Sequence, residues 1–407
     1  MQVPEGWIKE TTGSLCISIV PGRNKPKSFT GEIPWVTTPD ITARYIPTKE
    51  QELFVSKAEM QECGGKLVPV DSVIMAAVGD LGLVAINSEP VMLNQQLHAF
   101  VPKLKITTEF LAYWLSTQQQ YMLARASKTT IPYLNKSNCE SIPVLVPPLK
   151  EQQKIVQILS AWDKAITTTE QLLANSQQQK KALMQQLLTG AHPSKPRLLD
   201  DNGQRFSGEW EFKTISQMGK VLSGGTPDTN SAEYWDGSIN WLTPTDVTAL
   251  KSRFVEETAR KISSEGVKNS SAKLLPAGSL MVCTRATIGA LAISTSEICT
   301  NQGFKNIVPG KGFDVNFIYY LLLNNIKEFV RKASGSTFLE ISKKDFENVK
   351  LLCPELQEQQ KIATVLTTAD NEITRLQQKL DQLKQEKKAL MQQLLTGKRR
   401  VKVEEVA

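Results

Sequence analysis

Two histidines, His98 and His192, are all that the sequence holds, and none of its six cysteines sits in a Cys-x-x-Cys pair. Zinc sites draw their ligands from clusters of these residue types, so the chain has almost nothing from which to build one. Cys16, Cys63, Cys139, Cys283, Cys299 and Cys353 instead read as small buried hydrophobes of a reducing compartment. No apolar run approaches the roughly 18 residues that suggest a membrane span. Residues 1–10 lack the basic start and apolar stretch of a signal peptide, so a cytoplasmic location is expected. Catalytic signatures are missing as well. There is no Gly-x-Gly-x-x-Gly after a strand, no phosphate loop ending in Gly-Lys-Ser/Thr, no Gly-x-Ser-x-Gly elbow and no His-Glu-x-x-His. The acidic-aromatic tetrapeptide with which amino-methyltransferases hold a flipped base is absent too: Val146-Pro-Pro-Leu149 has its prolines only. Any reaction has to come from a partner.

What is present is an ordinary globular composition, with 41% apolar and 22% charged residues over 407 positions, enough for two or three domains. The net charge of +7 weakly favours an anionic partner, but no basic tail or block concentrates it. Composition therefore leaves the partner open.

The main signal is an internal repeat. Glu-Gln-Gln-Lys-Ile begins at Glu151 and again at Glu358, and Lys-Lys-Ala-Leu-Met-Gln-Gln-Leu-Leu-Thr-Gly begins at Lys180 and again at Lys387, both at an offset of 207. Upstream, Leu67 matches Leu274, Asn94-Gln95 matches Asn301-Gln302, Pro102 matches Pro309 and Phe110 matches Phe317 in the same register. Gly31-Glu-Ile-Pro-Trp-Val-Thr matches Gly237-Ser-Ile-Asn-Trp-Leu-Thr at 206, so one residue has been gained or lost between. More than half of the residues in 151–190 recur in 358–397, whereas the segments before them share mainly apolar and turn positions. Similar helices on divergent globular parts suggest one common docking role and two different recognition roles.

Within the first of the similar segments, Ile155, Leu159, Trp162, Ile166, Leu173, Leu183 and Leu187 recur at alternating four and three, with Thr169, Ser176 and Lys180 filling the remaining seam positions; in the second, Ile362, Leu366, Ala369, Ile373, Leu376, Leu380, Leu383, Lys387, Leu390 and Leu394 do the same. Such a seam, sustained for nearly five heptads, predicts a long helix with a coiled-coil face, about 48 Å from Ile155 to Leu187 at roughly 1.5 Å per residue. Pro148 and Pro354 stand before the helix starts, and Gly190 and Gly397 where glycine caps belong. Two equivalent units most simply pack these helices antiparallel about a pseudo-twofold axis. Residues 73–78 and 280–283 read as buried strands, and 110–125 and 317–332 have helical spacing. The expected fold is α+β: two mixed α/β modules related by a pseudo-twofold axis and joined by two long antiparallel coiled-coil helices. Its expected divisions are a first module at 1–146, a helix at 147–190, a polar linker at 191–208, a second module at 209–353, a helix at 354–397 and a tail at 398–407.

These residues carry a family resemblance. A Pro-x-Leu-x-Glu-Gln-x-x-Ile helix start stands at 147–155 and at 354–362, and Leu-Met-Gln-Gln-Leu-Leu-Thr-Gly-Lys-Arg-Arg-Val closes the second helix at 390–401. With the Gly-Gly-Thr-Pro loop at 224–227, the Ile-x-Trp-Leu/Val-Thr segment, the Asn-Gln after the strand hairpin and Ser-Gly-Ser-Thr before Ile341, the chain resembles, over nearly its whole length, the specificity subunit (HsdS) of type I restriction–modification systems. The resemblance implies a non-catalytic subunit whose two target-recognition domains each read one half of a bipartite, asymmetric site on double-stranded DNA, with the paired helices as a ruler for the unread spacer. It implies two modification (methyltransferase) subunits as partners and restriction (translocase/nuclease) subunits beside them. S-adenosylmethionine, ATP and Mg would belong to those partners and none to this chain. A pseudo-twofold reader suits half-sites about one helical turn apart, on the order of 34 Å. Two other readings compete: a coiled-coil adaptor that binds proteins and no DNA, and a self-sufficient methyltransferase or nuclease with unfamiliar motifs.

Base readout requires donors and acceptors on exposed loops. In the first module the candidates are Arg23, Asn24, Lys25 and Lys27 in a proline-flanked loop, Thr37, Thr38 and Asp40 after Trp35, and Lys128, Thr129 and Thr130. The second-module set is Gly225, Thr226, Thr243, Thr245, Asp246, Arg285, Thr287, Ser334, Ser336 and Thr337. Each could equally serve a turn or a helix cap. Arg285 has Val78 as its counterpart and so could be private to the second half-site. Asn94 and Asn301 read as framework, and Trp35 and Trp241 as core. Lys180, Lys387 and the Lys-Arg-Arg at 398–400 could meet phosphates, although a helix-end charge effect is the simpler account.

Overall fold

The computed structural model describes residues 3–189, 197–285, 287–333 and 340–402. The chain divides into two compact units, 1–170 with 378–407, and 171–377. Each holds one mixed α/β module with part of the helix Leu149–Leu187 and part of the helix Leu356–Leu395. Membrane-spanning length combined with apolarity is found in no helix among the described residues.

In the first unit the strand Ile8–Thr11 lies antiparallel to Pro143–Val146, Ile8 opposite Val146, so the module opens and closes at one edge and leads into the long helix. An antiparallel sheet follows in the order Cys16–Ile19, Leu97–Pro102, Val73–Ala76, Val84–Ile86. Val73–Ala76 is buried at all four positions. Alternate side chains explain this: Val73 and Met75 pack on the helix Thr108–Ser116, while Ile74 and Ala76 pack on a second sheet. That sheet runs Phe54–Val55, Ile33–Val36, Val91–Leu93, Leu67–Val68 and has a parallel central pair, Trp35 opposite Met92.

The second unit repeats the plan. Glu211–Thr214 pairs with Lys350–Cys353, and a sheet runs Gly219–Ser223, Phe304–Pro309, Leu280–Cys283, Leu291–Ser294, Phe254–Val255. A smaller sheet orders Arg260–Ile262, Trp235–Leu242 and Ile298–Thr300, again with a parallel pair, Trp241 opposite Cys299. All six cysteines are free and buried. Burial pushes the Cys16, Cys139 and Cys353 thiols up to about 12, which leaves them protonated and inert.

Two expected helices are each broken in two. Residues 110–125 form Thr108–Ser116 and Gln119–Arg125, and 317–332 form Val315–Asn324 and Ile326–Lys332. Polar side chains at the breaks return to the backbone: Thr117 Oγ1 donates to Trp114 O at 2.6 Å, and Asn325 Nδ2 to Leu321 O at 2.7 Å. Such bonds offer the chain an alternative to continuing the helix.

Inside each unit the two long helices run antiparallel, and the same set of groups ties them to the module. Asp163 accepts from Tyr113 Oη at 2.5 Å, from Arg44 Nε at 3.2 Å and from Lys387 Nζ. Asp370 accepts from Tyr320 Oη at 2.5 Å and lies 3.5 Å from Arg253 Nη1 and 2.5 Å from Lys180 Nζ. Both lysines are therefore bound to a carboxylate of the facing helix, as their seam positions imply, which corrects the phosphate contact and the helix-end effect expected of their charges. Four aliphatic side chains beneath the first cluster, Ile155, Leu159, Leu394 and Leu395, are almost wholly buried. At about 1.5–3 kcal/mol each they outweigh partly exposed ion pairs worth about 0–1 kcal/mol, so burial holds the helices together and the Asp clusters set their register. Other seam residues lie at intermediate depth, among them Trp162, Ile166, Leu183, Ile373 and Leu390. Leu173, Leu187, Ile362, Leu366 and Leu380 are buried.

The helix starts are held by their repeated Glu-Gln. Glu151 accepts Trp7 Nε1 at 3.1 Å and two bonds of 2.8 Å from Arg400. Glu358 accepts Trp210 Nε1 at 3.1 Å and two bonds from Arg197, one of them 2.9 Å. Gln152 accepts from Thr107 N and donates to Pro147 O, both at 2.9 Å; Gln359 does the same with Asp314 N and Pro354 O. The 191–208 segment, expected to be a plain polar linker, thus carries a docked residue in its described part, with Phe206 buried and Leu199 bridged to Arg205. Arg400 likewise faces a glutamate. Gly397, at φ +70°, ends the second helix against Pro4, where a Cβ would come within 2.4 Å of that ring. Gly190 lies outside the described residues.

Asp163→Asn should lower the melting temperature of the chain by a few degrees, because Lys387 and Arg44 lose their shared counter-charge. Burial alone would push the Asp163 carboxyl up, but bonds from Lys387 and Tyr113 and the charges of Lys387 and Arg44 outweigh it and hold it below the usual range. The folded pKa is depressed, so its contribution is complete above the unfolded carboxylate pKa of about 3.9 and disappears as pH falls through the lower folded value. Thermal melts should show parent and Asp163→Asn converging only below about pH 4; a constant gap down to acid would refute this.

Candidate nucleic-acid interface

The polar turn after each central hairpin gathers the loops that carry the candidates. In the first unit this is Asn94-Gln95-Gln96. Asn94 N donates to Val36 O at 2.9 Å, fixing the Thr37 turn, and Asn94 Oδ1 accepts from Gln96 N at 3.1 Å. Gln95 Nε2 reaches Arg23 O at 3.4 Å, and Thr38 Oγ1 donates to Gln96 Oε1 at 3.2 Å. Ala77 N donates to Gln96 O, and Leu134 N to Ala77 O, both at 2.8 Å, which brings in the 127–134 segment. The three expected groups of the first module thus surround one turn.

The second unit builds the same frame with different side chains. Asn301 N donates to Leu242 O at 3.0 Å, Gly303 N to Asn301 Oδ1 at 2.9 Å, and Thr284 N to Gly303 O at 2.8 Å. Ile341 N donates to Thr284 O at 3.0 Å. Gly225 N donates to Thr300 O at 2.8 Å, and Thr226 Oγ1 to Gln302 Oε1. Any side chain at Gly224 or Gly225 would collide, its Cβ 1.9 Å from Asn301 O or 2.3 Å from Ser271 Oγ, so the loop can lie on the turn only as glycine.

Exposed on these frames are Arg23, Asn24, Lys25, Lys27, Lys128, Thr129 and Thr130 in the first unit, and Thr245, Arg285 and Thr287 in the second. Thr37 and Asp40 are half-buried and bonded to each other at 2.7 Å, closing a short 3-10 turn; Thr243 and Asp246 form the equivalent cap at 2.6 Å. Their polar atoms are engaged in holding the turn. Arg285 Nε lies 3.9 Å from Glu340, which Lys305 Nζ also approaches at 3.7 Å. Ser334, Ser336 and Thr337 lie outside the described residues. Trp35 and Trp241 are core, 3% and 4% exposed.

Several residues on this face escaped sequence reasoning. Gln95, Gln96 and Gln302 are exposed amides at the centre of the frame; the Asn-Gln repeat signalled the turn but not which side chains project from it. Exposed Ile131 and Tyr133 border the Lys128 loop. Arg260 stacks 3.6 Å from the Trp235 ring, which meets Trp241 edge-on. Lys25 stands 5.9 Å over Phe29, the repeat equivalent of Trp235. Nothing in the sequence placed Arg260 there, because its strand partner is set by the sheet. His98, equivalent to Lys305, shares a 3.1 Å bond with Ser18, and burial pushes its imidazole down to about 4. It is neutral at ordinary pH, so the first unit has no buried cation where the second has one.

A family model, the type I restriction modification DNA specificity domain, matches residues 4–175 and 207–385, once per copy of the repeat. The chain belongs to this family of specificity subunits. It is 38% identical over 165 residues to the type I restriction enzyme MjaIX specificity subunit of Methanocaldococcus jannaschii, a match spanning 40% of this chain and 38% of that protein. Against the MjaVIII specificity subunit of the same organism identity is 24% over 423 residues, covering 99% of this chain and 95% of the other. The EcoR124I/EcoR124II specificity subunit of Escherichia coli is 27% identical over 275 residues, 65% of this chain and 64% of that protein. The fold is shared with the S subunit of a type I restriction–modification system from M. genitalium, with a TM-score of 0.59 at 14% identity over 97% of this chain and 98% of that one. A second type I system chain aligns with a TM-score of 0.61 at 18% identity, over 97% and 99%.

Proposed function

We propose that this specificity subunit addresses a type I restriction–modification complex to one bipartite, asymmetric sequence on double-stranded DNA, each module reading one half. The reading rests on the repeated frame around Asn94-Gln95-Gln96 and Asn301-Gln302-Gly303, the same backbone carrying different side chains. Identical framing gives both modules the same approach to a groove, and different donors and acceptors make the half-sites differ. Arg23, Lys25, Lys27 and Lys128 would meet phosphates or guanine edges in one half. In the other, Arg285 would exchange its ion pair with Glu340 for a base or phosphate, and Thr226 and Gln302 would present hydroxyl and amide groups.

In this reading the subunit has no catalysis of its own. Modification subunits supply S-adenosylmethionine-dependent adenine methylation, restriction subunits supply ATP- and Mg-dependent translocation and cleavage, and this chain holds them at the address. Its helices set the unread spacer. Genome-wide adenine methylation in cells with and without the gene is the direct test. One bipartite motif should lose methylation entirely when the gene is deleted; an unchanged methylome would refute the assignment. A salt-independent DNA affinity of the assembled complex would favour the protein-binding adaptor instead.

A further inference from the structure

The two modules, built on one frame, differ in charge at three linked positions. Arg285 bridges Glu340 through the backbone, as Val78 bridges Tyr133 in the first module, each residue 207 positions earlier. Lys305 approaches this bridge from the buried side, at the position that His98 holds in the first module. Arginine, glutamate and lysine therefore stand where the first module has valine, tyrosine and a neutral histidine. Glu340 is shared between the two cations. Its Oε2 lies 3.9 Å from Arg285 Nε and its Oε1 lies 3.7 Å from Lys305 Nζ. Neither distance is a hydrogen bond, so both oxygens keep room to accept one. Exposure separates the cations: the Arg285 side chain is 44% exposed, whereas that of Lys305 is 8% exposed and is fixed in place. Arg285 also stands beside the central turn, where a Cβ on Gly303 would come 3.9 Å from its own Cβ.

A carboxylate is out of place on a surface that meets DNA, because the duplex carries one negative charge about every 1.7 Å. Lys305 removes that objection. It stays against Glu340 and balances its charge when Arg285 turns away. The surface then offers a fork of donors next to an acceptor. In the major groove a G·C pair presents the complement, two acceptors on guanine followed by the amino group of cytosine. Adenine has one acceptor with its amino group beside it, so a guanidinium cannot hold it by two bonds. Val78 and Tyr133 carry no charge and cannot repeat the contact.

We infer that Arg285 and Glu340 together read one G·C base pair of the second half-site, the guanidinium on guanine and the carboxylate on the cytosine amino group. Lys305 is the positioning residue that holds Glu340 there against the charge of the DNA. The inference rests on the function proposed above and names what one point of the second module recognises. Its test uses the chain assembled with its modification subunits, and duplexes of the methylated motif in which each base pair of the second half is changed in turn. Methylation rates should show the parent preferring G·C at one position by on the order of 10- to 100-fold. Arg285→Val/Glu340→Tyr, the pair that the first module carries, should abolish that preference and leave every other position of both halves as it was. Arg285→Lys keeps the charge at an exposed site but not the fork, and should lose most of the same preference. Lys305→Met should weaken it too, at that position alone, which a merely structural lysine would not do. Melting curves identify any variant that fails to fold, and Arg285→Lys then decides. Parent-like discrimination in Arg285→Lys and in the double variant would overturn the inference while leaving the proposed function intact. So would a second half without a G·C pair, or a loss uniform over all positions with a shallower salt dependence, which marks Arg285 as a phosphate contact. A parent complex that methylates no bipartite motif would overturn both.

Discussion

Glu358→Ala should destabilise the second unit by about 3–5 kcal/mol, the usual cost of removing one member of a buried ion pair. Glu358 has a side chain only 2% exposed and binds both Arg197 and Trp210. Without it a guanidinium and an indole N–H remain in a site from which water is largely excluded. Urea unfolding followed by tryptophan fluorescence and circular dichroism would measure the loss. Replacing both partners, Glu358→Leu with Arg197→Leu, should restore part of it, since no buried charge is then left alone. At the equivalent Glu151 the effect should be smaller, because Arg400 keeps a 44% exposed side chain and can be solvated when its carboxylate goes. Parent-like unfolding of Glu358→Ala would show that the contact is not holding the unit.

The second large effect is a change of address. Exchanging residues 1–146 for the first module of another family member should replace one half of the methylated motif and leave the other half as it was. Strands Ile8–Thr11 and Pro143–Val146 close on each other, so the graft begins and ends at one seam. The sheets of the first module have their own cores, distinct from those of the second. The incoming module must still offer an aromatic hydroxyl and a guanidinium where Tyr113 and Arg44 meet Asp163, and an indole where Trp7 meets Glu151. Modules lacking them should fail to fold onto the helices, which a melting curve separates from a failure to read DNA. Methylated-base sequencing of the complex reports the motif; a change in both halves would contradict the assignment of one reader to each half.

Much of this architecture is legible in the sequence. Ile155, Leu159, Ile362 and Leu366 recur with helical period and are buried where that period places them. The buried strands Val73–Ala76 and Leu280–Cys283 show as short apolar runs because both of their faces are covered. The repeat of Glu-Gln at the helix starts was visible as well, but not its purpose. A glutamate followed by a glutamine reads as a solvated helix start until Arg400, 249 positions away, is found against Glu151. The heptad spacing puts Lys180 and Lys387 in the seam, but their carboxylate partners belong to the facing helix, and local spacing does not name them. Asp40 and Asp246 drew attention as polar loop residues, yet each is fixed in a turn by a threonine three positions before it.

The sequence by itself determined the duplication, the two long helices and the family, because periodicity and repetition are properties of the chain read in order. Tertiary structure decided which polar residues hold the molecule together and which remain available to another. It ties Lys180, Lys387 and Arg400 to carboxylates, and leaves Gln95, Gln96, Gln302 and Arg260 exposed. The physical reason is that a charged or amide side chain has the same composition whether it faces solvent or a partner. Only the fold brings a carboxylate within 3 Å or leaves the group to water.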